Sequence, residues 1–161
     1  MGDTCEHDHA VSGPGPAAVS AAVARATARC QADGERMTAP RRRVLAQLLA
    51  AGEPMKAYDL IAGYGEDGQA AKPPTVYRAL EFLERRGLAH RIASISAYVA
   101  CSGSDQAHAA AFLICDCCGA TEEVTPGAAD GLARAAAAAG YRIERTTIEA
   151  HGRCPGCSAA A

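Results

Sequence analysis

Three observations predict an α+β protein in two parts, an N-terminal winged helix-turn-helix followed by a small α/β unit. Several segments of helical periodicity lead into two short alternating segments. The charge changes sign on passing from the first half to the second, and the second half carries two Cys-x-x-Cys pairs.

Taken in order, residues 1–16 hold Gly13-Pro14-Gly15-Pro16 and no periodic pattern, so they read as a disordered tail. The Ala-rich run 17–32 is predicted helical. A second helix starts at Thr38 as N-cap with Pro40 in its first turn, buries Val44, Leu45, Leu48 and Leu49, and ends at Gly52-Glu53-Pro54. A short third helix covers 57–62. The fourth begins at Pro73-Pro74-Thr75 and runs to Gly87, with Val76, Ala79, Leu80 and Leu83 inward and Tyr77, Arg78, Glu81 and Arg85 outward. Segments 88–92 and 97–101 then alternate as a hairpin, the wing. In the second half, 112–115 and 121–124 read as paired strands. A helix over 128–139 ends at Gly140, and 141–150 alternates as a longer strand. So small an α/β unit exposes sheet edges and invites pairing with a second copy.

Composition bounds the function. Of 161 residues 39 are Ala, only 7 are aromatic and none is Trp, so the apolar core is thin and metal is a plausible supplement. No apolar run reaches the roughly 18–20 residues of a membrane span. The acidic start, Met1-Gly2-Asp3-Thr4-Cys5-Glu6, has no basic flank or apolar stretch of the kind that directs secretion. A cytoplasmic, reducing location follows as the expectation, in which eight Cys serve as metal ligands rather than disulfides. Residues 20–91 carry twelve Arg or Lys against eight Asp or Glu, whereas 92–161 carry four against seven. That asymmetry points the first half toward a polyanion. A winged helix would place its last helix in a DNA major groove.

Cys115-Asp-Cys-Cys118 and Cys154-Pro-Gly-Cys157 form two knuckles separated by 35 residues, and four thiolates suit tetrahedral structural zinc. The tail cluster Cys5, His7 and His9 and the extra Cys117 belong to neither pair, and Cys30 is expected to be buried in the first helix. A looser set comprises His90, Cys101, His108 and Glu123. From spacing alone these read as a surface His, a buried Cys and a solvated Glu. Their location, where the basic half joins the acidic half, raises a second metal site instead. Two imidazoles and a thiolate favour zinc over manganese or magnesium. A thiol redox sensor stays open as an alternative. The chain lacks His-Glu-x-x-His, a nucleophile elbow and a phosphate-binding glycine loop, so neither an enzyme nor a small-molecule substrate is expected.

The stretches Thr38-Ala-Pro-Arg-Arg, Lys72-Pro-Pro-Thr-Val-Tyr-Arg-Ala-Leu80, Ser96-Ala-Tyr-Val-Ala-Cys101, Phe112-Leu-Ile-Cys-Asp-Cys-Cys-Gly119 and Ile148-Glu-Ala-His-Gly-Arg-Cys-Pro-Gly-Cys157 together resemble the Fur family of bacterial metal-responsive repressors, in its zinc-uptake-regulator branch. The resemblance implies a winged-helix DNA-binding domain over 17–91, a wing end and hinge over 92–101, and a zinc-binding dimerisation domain over 102–161. It implies two zincs per chain, one structural on Cys115, Cys118, Cys154 and Cys157 and one regulatory on His90, Cys101, His108 and Glu123. It also implies base reading by Tyr77 and Arg78. Thr75, Lys72, Arg41, Arg42 and Arg43 are expected to complete the contact with double-stranded operator DNA, made by a homodimer with no membrane partner. Gln106-Ala-His-Ala-Ala replaces the His-rich stretch of iron- and peroxide-responsive members, which argues for zinc. Response to another metal or to thiol oxidation is the alternative within the same family.

Overall fold

The computed structural model describes residues 13–65, 71–101, 110–124, 129–144 and 146–159. They fall into two units, 13–101 and 110–159. The tail cluster Cys5, His7 and His9, and also His108, lie outside the described residues.

The N-terminal unit contains helices α1 (Pro16–Ala32), α2 (Ala39–Ala51), α3 (Ala57–Ala62) and α4 (Pro73–Arg85). Strands β1 (Met55–Lys56), β2 (Ala89–Ile92) and β3 (Ala97–Ala100) form an antiparallel sheet in the order β1-β3-β2. The wing hairpin matches its expected place. β1 adds a third strand, since Met55 pairs with Tyr98; two residues are too few to leave a period in the sequence. Thr38 occupies the N-cap position of α2 in an extended conformation, without a side-chain hydrogen bond to the helix, and Gly52 ends it in the left-handed region that favours glycine. Val44, Leu45, Leu48, Leu60, Val76, Leu80 and Leu83 are all buried in one core, joined by Cys30. Phe82 belongs there too, at 1% exposed, although the stripe read from the sequence omits it.

In the C-terminal unit the strands are β4 (Ala110–Cys115), β5 (Thr121–Val124) and β6 (Thr147–Gly152), with helices α5 (Ala129–Ala138) and α6 (Pro155–Ala159). The strand order is β5-β4-β6, β5 antiparallel and β6 parallel to β4. The strand expected over 141–150 forms only from Thr147, and 141–144 are not in a strand. The reason is local. Gly140 adopts the left-handed conformation, Tyr141 N–H bonds to Ala136 O at 2.8 Å and Gly140 N–H to Ala137 O at 3.1 Å. This is a Schellman closure of α5, which uses the Tyr141 N–H that a strand would have needed.

Candidate metal centre and nucleic-acid interface

Parallel pairing of β4 and β6 sets Cys115 opposite Gly152, so the ends of both strands lie side by side. The turn after β4 carries Cys118 and is released by Gly119 at positive φ; two residues beyond β6 comes Cys154, and Cys157 follows in α6. The four sulfurs lie within 4.8 Å of one another, all as reduced thiols. Cys118 Sγ and Cys154 Sγ are 3.8 Å apart. Four sulfurs bonded at about 2.3 Å to a tetrahedral zinc would be spaced by about 3.8 Å, so the donor set fits that ion in chemistry and in size.

The thiols differ electrically. Backbone N–H groups of Cys118 and Cys154 point at Cys115 and lower its pKa to about 6, the second of them donating to its Sγ at 3.3 Å. Burial pushes Cys157 up to about 12. Neighbouring thiolates repel, and a dication is what lets all four ionise together. Beside them His151 Nδ1 meets Asp116 Oδ1 at 2.9 Å, tying the end of β6 to the first knuckle. A short helix, α6, follows Cys154 and carries Cys157.

In the wing, His90 on β2 is buried and stands opposite Val99. Cys101 follows β3, its N–H donating to Leu88 O at 3.0 Å. A ring nitrogen of His90 and the Cys101 sulfur lie within 4.8 Å of each other. Glu123 is half-buried on β5, opposite Phe112, in the C-terminal unit.

Helix α4 buries Val76, Ala79, Leu80, Phe82 and Leu83, which leaves Tyr77 and Arg78 in solvent, Tyr77 at 52% exposed. Lys72 is the exposed N-cap residue and Thr75 is half-buried in the first turn. The arginines at the start of α2 already have work inside the unit. Arg41 stacks 3.5 Å over the Phe82 ring and donates to Arg36 O. Arg42 donates to Met37 O, and Arg43 stands 5.2 Å over Tyr64. Tyr58 in α3 went unnoticed in the sequence, yet it is 77% exposed.

The ferric uptake regulator family model matches residues 32–151. The chain is 40% identical over 137 residues to the zinc uptake regulation protein of Escherichia coli (strain K12), covering 84% of this chain and 80% of that protein. Among solved structures it resembles a zinc uptake regulator complexed with zinc and DNA, at 38% identity and a TM-score of 0.79, over 88% of this chain and 96% of that one. It also resembles holo XcZur, at 39% identity and a TM-score of 0.74, over 85% and 96%.

Proposed function

The chain belongs to the ferric uptake regulator family, and on that premise we propose that it is a zinc-dependent transcriptional repressor of zinc-uptake genes, acting in the cytoplasm as a DNA-bound homodimer. The observation that carries the reading is the likeness, at 38% identity, to a regulator solved with both zinc and DNA. Tyr77 and Arg78, exposed on the face of α4 opposite its buried stripe, support it.

Cys115, Cys118, Cys154 and Cys157 hold the structural zinc. His90 and Cys101, with Glu123 and His108, hold the regulatory one, so that each chain takes two. A bound zinc ion supplies coordination bonds and a fixed positive charge at each set of donors. In the first set, the chain's role is to tie two strand ends together where the apolar core is thin. In the second, His90 and Cys101 brace the two wing strands. Fewer orientations of the two winged helices of a dimer are then sampled, and more of the population fits two half-sites at once. Tyr77 and Arg78 read base edges, Arg78 being suited to a guanine. Lys72, Thr75 and Arg41–Arg43 meet phosphates, which makes binding salt-dependent.

The test compares Cys101→Ser with Cys154→Ser by fluorescence anisotropy on DNA, with and without zinc, and by sedimentation. Cys101→Ser is expected to stay a folded dimer that has lost zinc-dependent DNA binding, while Cys154→Ser fails to fold properly. Equal damage from both would overturn the division into two sites. DNA binding by the unaltered protein that ignores zinc would overturn the function.

A further inference from the structure

Two helix ends meet in the N-terminal unit. At the end of α1, Gly34 has positive φ, Glu35 N–H bonds to Cys30 O at 2.8 Å and Gly34 N–H to Gln31 O at 3.0 Å. At the end of α4, Gly87 has positive φ, Leu88 N–H bonds to Leu83 O at 2.8 Å and Gly87 N–H to Glu84 O at 3.0 Å. Both are Schellman closures, and both present the negative end of a helix dipole. Charged side chains join them. Arg86 Nη2 pairs with Asp33 Oδ2, Arg29 Nη2 donates to Arg86 O at 3.3 Å, and Arg85 Nη2 lies 3.6 Å from Glu35 Oε1.

Asp33 is out of place by local rules. A carboxylate at the C-cap of α1 faces the negative end of that helix, where a cation is preferred. Arg86 is only 24% exposed and its Nε is buried without a hydrogen-bond partner, so its charge depends on Asp33 for compensation. A locally unfavourable residue that satisfies a desolvated charge on another element points to a tertiary role.

We infer that Asp33 and Arg86 are positioning residues for DNA recognition: their ion pair sets the angle of α4, and so the placement of Tyr77 and Arg78. The inference rests on the DNA-binding function proposed above. Apolar packing fixes how deeply α4 is buried but is non-directional, and leaves its pivot soft. Arg78 lies eight residues from Arg86, about 12 Å along the helix, so a swing of about 10° at the clamp moves it by about 2 Å. A hydrogen bond to a base edge does not survive that shift. Phosphate contacts from flexible Lys and Arg side chains do.

The experiment takes the duplex that the unaltered protein selects from a random-sequence pool in the presence of zinc, and measures its affinity against that for unselected duplex of the same length. Asp33→Asn is expected to lower this preference roughly fivefold, in keeping with a partly exposed ion pair. Affinity for unselected duplex should stay level or rise, and Asp33→Glu should restore the preference. A purely structural role would instead depress both affinities together with the melting temperature. If Asp33→Asn fails to fold, Arg86→Lys, which keeps the charge and loses the planar fork, carries the same comparison. A preference unchanged in the variant, or not restored by Asp33→Glu, overturns the inference. An unaltered protein that selects no duplex overturns the DNA-binding function itself.

Discussion

Cys115 and Cys157 share one cluster yet are pushed in opposite directions, one to about 6 by backbone N–H groups and the other to about 12 by burial. In the metal-free fold the lowered Cys115 contributes stability at pH above the ordinary thiol range, and that contribution is lost as pH falls through about 6. Cys157 is raised, so its contribution has the opposite sign: it is present at lower pH and lost as pH rises through about 12. The proposed zinc demands all four thiolates, and protons therefore compete with it. Zinc is expected to be retained at neutral pH and released progressively on acidification, as protons compete for all four sulfurs. A chromophoric zinc indicator followed through an acid titration checks this. Full retention at about pH 4 would show that metal binding has suppressed the thiol pKa values far more than the metal-free cluster indicates. The knuckle cysteines were legible in the sequence because their spacing is short and regular. Tyr58 was not, because exposure of one aromatic leaves no periodic trace.

At the scale of elements, α4 depends on Phe82 as much as on its regular stripe. Phe82 is 1% exposed and carries the Arg41 guanidinium 3.5 Å over its ring. Phe82→Ala is expected to cost about 3–5 kcal/mol, from the lost transfer energy and the cavity left behind. Urea denaturation gives that value, and a loss below about 1 kcal/mol would place Phe82 outside the cooperative core. Helices α2, α4 and α5 and the wing were legible from Thr38, Pro73-Pro74 and the stops at Gly52, Gly87 and Gly140. The strand expected over 141–150 was overread, because alternation in Tyr141 and Ile143 competed with the closure of α5 at Gly140, and the local hydrogen bonds prevailed.

For the whole molecule, the two proposed zinc sites differ in how they are built. One draws all its ligands from the C-terminal unit, at the end of β4, the turn after it and the segment after β6; the other begins in the wing with His90 and Cys101. The first should therefore hold zinc as tightly as the fold itself, while the second exchanges. Native mass spectrometry before and after mild chelation is expected to show two zincs per chain falling to one with the dimer intact. One zinc throughout would mean that the wing ligands do not form a zinc site, and would return the signal to another metal or to thiol oxidation.

The sequence by itself determined the order of α1–α5 and of β2–β6, the four-thiolate donor set, and which face of α4 carries Tyr77 and Arg78, because caps, periodicity and short spacings act within a few residues of chain; β1 and α6, of two and five residues, are too short to leave a period. Tertiary structure alone decided that β6 runs parallel to β4, which brings the second knuckle to the first. It decided that Arg41 rests on Phe82, and that the ends of α1 and α4 are joined through Asp33 and Arg86. The partners in those contacts lie between 37 and 53 residues apart, beyond the reach of any local pattern. They form only where the burial of apolar surface has already brought distant segments together and left charged groups in need of a partner.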